Sequence, residues 1–195
     1  MRTLTVLGAC AVLCVSCSSG HVKIPGEEVV LKENECKAFY TQGLEAERKE
    51  EYGKAAELFG KALESDQLFF SAYYKQGRCY ALMGNWAEAE FIFRELLETD
   101  SENSSLQQSL AFVLLQGEKD SIPEALTILE DLYRKNPYDI SLCSLRIKAF
   151  VVADELERAE ESYAVFAETF PSELEKIREL DAVVHPNSLN DDSED

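Results

Sequence analysis

The most constraining feature of this chain is a spacing. Alanine followed four residues later by a large side chain occurs as Ala55 with Phe59, Ala89 with Phe93, Ala125 with Leu129 and Ala159 with Tyr163, at steps of 34, 36 and 34. Upstream, Gly43, Gly77, Ala111 and Ile147 hold one relative place at steps of 34, 34 and 36. The longer step falls differently in the two series, so two extra residues lie between Ala111 and Ala125, in the turn from Gln116 to Pro123. Apolar residues inside each period recur at helical intervals, so the unit is a helix hairpin. One hairpin cannot bury its apolar face alone, and stacking follows. With 46% hydrophobic residues in 195, the chain has enough apolar surface for such a core. The expected fold is therefore all-α, a solenoid of helix hairpins.

The residues inside the period carry a family pattern. The chain resembles the tetratricopeptide repeat family, which places an aromatic at position 4, Leu-Gly at 7 and 8, Tyr at 11, Ala at 20, Phe at 24, Ala at 27 and Pro at 32. The first copy, 36–69, matches with Phe39, Gly43, Ala55, Phe59 and Ala62, and the second, 70–103, with Tyr73, Gly77, Tyr80, Ala89 and Phe93. The third, 104–139, keeps Leu110, Ala125 and Pro137 but has Gln107 for the aromatic. In the fourth, 140–173, Phe150, Ala159, Tyr163 and Pro171 match, while Cys143 and Ile147 replace the aromatic and the glycine. The resemblance implies a right-handed solenoid of four repeats. Small residues at positions 8 and 20 let the two helices of a hairpin approach, and the large one at 24 fills the space beside them. Gly84-Asn85 is expected to break the second hairpin, and Ser121-Ile122-Pro123-Glu124 to cap the second helix of the third. A capping helix is expected over 174–185, with Leu174, Ile177, Leu180 and Val184 on one face. The acidic tail 186–195 has nothing to bury and is expected to be disordered.

Before the repeats comes a leader. Arg2 precedes an apolar run from Leu4 to Val15, too short for the roughly 20 apolar residues of a membrane-spanning helix. Residues 1–16 read as a signal peptide. Cys14-Val15-Ser16-Cys17 resembles the box that precedes an acylated cysteine in bacterial lipoproteins. Leu7-Gly8-Ala9-Cys10 resembles it better, but leaves an apolar stretch of only seven residues, from Thr3 to Ala9. Cys17 is accordingly the expected lipidation site, with Cys10 and ordinary secretion as alternatives. Residues 17–35 then form the lipidated N-terminus and tether. Such a chain resembles bacterial tetratricopeptide lipoproteins, which implies a place in the cell envelope, held to a membrane and facing the periplasm.

For function, the family resemblance places positions 2, 5, 9, 12 and 13 of each repeat on a concave groove. Those positions here include Lys37, Tyr40, Leu44, Glu47 and Arg48, then Tyr74, Arg78, Ala81 and Leu82. Later repeats add Ser105, Gln108, Phe112 and Leu115, with Lys148 from the fourth. The whole chain carries 37 Asp and Glu against 19 Lys and Arg, yet cations outnumber anions at these places. The candidate partner-binding residues are Lys37, Tyr40, Arg48, Tyr74, Arg78, Phe112 and Lys148, which suit an extended peptide held by aromatic contact and carboxylate pairing. The family's carboxylate clamp has Lys and Asn where this chain has Tyr40 and Leu44, so that ligand is not implied.

The resulting expectation is a non-catalytic, membrane-anchored scaffold that binds a protein or peptide in an envelope complex. The alternative is a carrier of a small hydrophobic or acidic ligand. A formal charge of −18 disfavours nucleic acid as a partner. The two histidines, His21 and His185, lie outside the repeats, and neither a zinc-ligand spacing nor a Gly-rich phosphate loop occurs. No metal, cofactor or catalytic residue is expected. Cys36, Cys79 and Cys143 fall at different depths of their repeats and are expected to remain free thiols.

Overall fold

The computed structural model describes residues 27–64 and 69–184. The helices run α1 (Glu27–Arg48), α2 (Tyr52–Ala62), α3 (Phe69–Leu82), α4 (Trp86–Thr99), α5 (Ser104–Leu114), α6 (Ile122–Lys135), α7 (Ile140–Val152), α8 (Leu156–Thr169) and α9 (Arg178–Val184), with no strand among the described residues. Each helix from α1 to α8 packs on the next, so the chain is a row of hairpins, α1–α2, α3–α4, α5–α6 and α7–α8. The expected signal peptide, most of the expected tether, the expected lipidation site Cys17 and the acidic tail lie outside the described residues. Residues 27–35, assigned to the tether by the sequence, instead form the opening turns of α1.

Small residues set how closely the paired helices approach. Ala55, Ala89, Ala125 and Ala159 are all fully buried. A Cβ added at Gly43 would stand 2.8 Å from Phe59 Cε1, and one at Gly77 would stand 2.9 Å from Ile92 Cγ2 and 3.0 Å from Phe93 Cε1. In the first two repeats position 8 therefore holds glycine, because the phenylalanine ring at position 24 and a methyl cannot share the space. Ala111 and Ile147 occupy the same place in the third and fourth repeats, where position 24 holds Leu129 and Tyr163. Arg94 on α4 adds a bidentate pair with Glu124 on α6, both bonds 2.8 Å, and these hold the Glu124 carboxyl below the usual range.

The hairpin turns repeat one backbone solution. Glu50, Gly84 and Asp154 share position 15 and have φ of 60°, 78° and 62°, the left-handed region. Each turn closes with the same pair of bonds, shown in the second by Gly84 N–H to Ala81 O and Asn85 N–H to Tyr80 O. That is a Schellman cap, and only glycine adopts its left-handed residue without strain. The third repeat differs. Glu118 at position 15 has φ −75°, and the two-residue insertion is taken up in a short 3₁₀ turn, Lys119–Ser121, leading into α6. Ser121 does not cap α6 as expected, because its backbone is already helical (φ −84°, ψ −17°) and a capping side chain needs an extended one. Side-chain caps occur at Asn103 and Asp139, whose Oδ1 atoms accept from Leu106 N–H at 3.1 Å and Leu142 N–H at 2.9 Å.

A stability prediction follows from these turns. Glu50→Gly is expected to raise the unfolding free energy by about 1 kcal/mol, since it removes left-handed strain from a residue with a Cβ. Glu118→Gly is expected to lower it by roughly 0.5–1 kcal/mol, because that backbone is ordinary and glycine adds only unfolded-state entropy. Urea midpoints of the two variants moving in the same direction would contradict this account.

The C-terminal segment also departs from expectation. In place of one helix over 174–185, a 3₁₀ stretch, Pro171–Ile177, precedes the short α9. Pro171 has no N–H to continue a helix, and Glu173 N–H closes onto Phe170 O at 2.9 Å, a three-residue step. The apolar residues nevertheless reach the core. Ile177, Leu180 and Val184 join Cys143, Ile147, Phe150, Ala159 and Phe166 in one buried cluster, so the segment covers the last hairpin.

Candidate functional site

Helices α3 and α5, the leading helices of the second and third hairpins, contribute facing residues to one hollow. Tyr74, Arg78, Ala81 and Leu82 come from α3, and Ser105, Gln108, Ser109 and Phe112 from α5. Their intervals of three and four put each set on a single helical face. Phe93 of α4 and Leu145 of α7 complete the lining of a cavity of about 360 Å³. The Tyr74 ring packs 5.9 Å from the Phe93 ring, and its hydroxyl lies 3.3 Å from Ser109 Oγ, which ties α3 to α5. Leu82 is 51% exposed and Phe112 41%, so two apolar side chains stand open to solvent in the hollow. Phe112 also meets the edge of Trp86, with centroids 6.2 Å apart.

The charge balance differs from a row of free cations. Glu47 of α1 is largely buried and pairs with Lys75 Nζ at 2.8 Å and with Arg78 Nη1 at 3.5 Å. Two cations on one carboxylate leave a single positive charge at the α3 end of the hollow. A carboxylate arriving there competes with Glu47 for Arg78 while Lys75 keeps Glu47 paired. The site can thus accept one anionic group at one end and apolar side chains along the remainder.

Three of the seven expected partner-binding residues, Tyr74, Arg78 and Phe112, line this cavity; Lys37, Tyr40, Arg48 and Lys148 do not. Tyr40 packs its ring 5.5 Å from Phe59 and belongs to the first hairpin's core. Lys37 is exposed on α1, its Nζ 3.9 Å from Glu33. Arg48 is exposed in the last turn of α1, and Lys148 is exposed on α7. Leu115, placed on the groove by the family pattern, is buried in the core. Sequence reasoning missed Lys75, Ser109 and Leu145. All three fall at position 6 of their repeats, beside position 5 of the expected strip, so the regular register was the available signal.

Elsewhere the chemistry is quiet. Cys36, Cys79 and Cys143 are buried and unpaired, and burial pushes the Cys79 thiol up to about 11. Among the described residues no group of three or more His, Cys, Asp or Glu gathers as a metal site. No described helix is long and apolar enough to cross a membrane.

Residues 70–103, the α3–α4 hairpin that supplies Tyr74, Arg78 and Phe93, match the tetratricopeptide repeat. The fold is that of a tetratricopeptide solenoid. It is similar to TTC0263, a thermophilic tetratricopeptide protein in Thermus thermophilus, at 19% identity over 70% of this chain and 75% of that one, with a TM-score of 0.58. It is also similar to YrrB, described as a tetratricopeptide protein with an unusual peptide-binding site, at 23% identity over 74% of each chain and a TM-score of 0.58. The AMB-1 form of MamA aligns at 15% identity over 78% of this chain and 82% of that one, with a TM-score of 0.60. At such identities the likeness concerns the fold. No curated protein matches the chain.

Proposed function

We propose that this solenoid is a non-catalytic scaffold that holds an extended segment of a protein partner in the hollow between α3 and α5. The observation that carries the reading is the meeting of Tyr74, Arg78, Leu82 and Phe112 around one open cavity of about 360 Å³. Interfaces concentrate binding energy in aromatic and arginine side chains set in a pocket, and the hollow presents both. The charge pattern names the segment: apolar side chains, with one carboxylate towards Arg78. YrrB, with a similar fold, carries a peptide-binding site by its description, which supports peptide as the ligand class. A photo-crosslinking amino acid at Leu82 in the native cell tests the reading. One protein attached through that position and absent when the probe sits at Phe91, which is 60% exposed on α4, is the expected result. The same capture from both positions would remove the hollow as the binding site.

The scaffold is proposed to work at a bacterial membrane surface, facing the periplasm, with Cys17 acylated and the segment after it serving as a tether. Each buried CH₂ of an acyl chain contributes about 0.8 kcal/mol, so several chains suffice for stable anchoring. Cys17→Ala is therefore expected to abolish incorporation of labelled palmitate and to move the protein out of the membrane fraction, or to leave the leader uncleaved. Undiminished labelling of that variant would assign the lipid to another residue, Cys10 first.

A further inference from the structure

A second cavity lies at the fourth hairpin, over α7 and between α6 and α8. It measures about 160 Å³ and is lined by Tyr133, Tyr138, Cys143, Arg146, Val165 and Phe166 among others. Its origin is legible in the repeat register. In the first hairpin the aromatic at position 4, Phe39, lies under the position 26 residue, Lys61, whose Nζ stands 5.8 Å from the ring centre. In the second the same two positions hold Tyr73 and Glu95, and the phenol hydroxyl donates to the carboxylate. The fourth hairpin has Cys143 at position 4 and Val165 at position 26, and both line the cavity. The Cys143 thiol turns back to donate to Pro137 O at 3.3 Å. The cavity therefore occupies the place where the first two repeats carry an aromatic ring of their own, a ring that the third, with Gln107, also lacks.

Its size and walls describe an occupant. A protein cavity of about 150 Å³ accepts a benzene-sized ring. Phe166 and Phe170 pack 5.2 Å apart on one side. On another, the Arg146 guanidinium lies 4.3 Å over the Tyr133 ring and 4.9 Å from Phe150, with its side chain only 17% exposed. Arg146 Nε donates to Glu130 at 2.7 Å and Nη1 to Ser162 Oγ at 3.0 Å. Its remaining N–H groups have no acceptor among the described residues, and the side chain is one wall of the cavity. The hydroxyl groups of Ser162 and Thr169 are further polar groups on the lining residues.

We infer that this cavity is a binding site for a single aromatic ring bearing a hydrogen-bond acceptor, held by Phe166 and Phe170 and paired through Arg146. The ring restores the contact that Cys143 gives up, and the acceptor takes the N–H groups that Glu130 and Ser162 leave over. This site is separate from the hollow between α3 and α5, with which it shares no lining residue.

Ligand-observed NMR titration of the full chain with benzoate tests it, with cyclohexanecarboxylate as the non-aromatic match. Benzoate is expected to bind saturably with a dissociation constant on the order of 1 mM, as befits so small a ligand, and cyclohexanecarboxylate roughly fivefold more weakly. Cys143→Phe is expected to abolish binding by supplying the missing ring. Should that variant not fold, Val165→Trp decides the matter, because Val165 is half exposed and a larger side chain there covers the opening without entering the core. It is expected to weaken benzoate at least about tenfold. A parallel titration with acetyl-phenylalaninamide separates the sources. Binding of benzoate alone points to a free aromatic acid, and comparable binding of both to a ring on a partner chain. Absence of saturable binding by either probe, or benzoate affinity unchanged in Val165→Trp, overturns the site.

Discussion

Replacing Phe93 with alanine is expected to lower the unfolding free energy by about 3–5 kcal/mol, the range for deleting a buried aromatic from a close-packed site. Phe93 is 1% exposed, approaches the backbone of Gly77 and packs beside Tyr74. Glycine at 77 admits this ring, so position 77 itself has no side chain to fill the vacated volume. Phe93 belongs to a buried cluster drawn from the second, third and fourth hairpins, which includes Ala89, Leu106 and Leu142. In a solenoid, stability depends on such contacts between neighbours, and losing one weakens both units beside it. Phe91→Ala, two residues away on the exposed side of α4, is expected to stay within roughly ±0.5 kcal/mol. Urea unfolding followed by helical circular dichroism checks both. Equal midpoints for the two variants would show that the ring under Gly77 does not hold the stack together.

Arg78→Ala combined with Phe112→Ala is expected to reduce capture of the crosslinked partner by about 30-fold or more, the loss associated with removing an interface hot spot. Both side chains are partly exposed, so the stack should keep its helical content. The chemical roles differ. Removing Arg78 takes away the positive charge offered to a carboxylate while Glu47 keeps its 2.8 Å pair with Lys75, so no buried anion is stranded. Removing Phe112 takes away apolar contact and frees only the edge of Trp86. The Arg78 effect is therefore expected to diminish with salt and the Phe112 effect to persist. Affinity of the double variant within threefold of the parent at low salt, roughly 0.7 kcal/mol by the affinity scale, would place the partner elsewhere on the solenoid.

The hairpins, their number and their small-against-large pairing could be read from the sequence because each follows from local rules. A period of 34 with alanine four residues before a large side chain leaves few arrangements that bury the apolar face. Gly84 declared its turn, whereas Glu50 and Asp154 adopt the same left-handed backbone unannounced. Tertiary packing imposes the turn there against residue preference. The two-residue insertion could be located by arithmetic, but its 3₁₀ form, and with it the failure of Ser121 to cap, depends on where the following helix must dock.

The site divides along the same line. Tyr74, Arg78 and Phe112 come together on one cavity because helical period and stacking bring equal positions of neighbouring leading helices side by side. Tyr40 was assigned by the same register and packs on Phe59 as Tyr74 packs on Phe93, yet it lies outside this cavity. The sequence by itself determined that the chain is a row of helix hairpins with one small residue at each close approach, because those constraints act within a single repeat. Only the tertiary structure decided that Glu47 would draw Lys75 and Arg78 together across two repeats, and that Cys143 would leave a ring-sized space between α6 and α8. Charge pairing and void volume are properties of side chains far apart in sequence, and they exist once the hairpins have stacked.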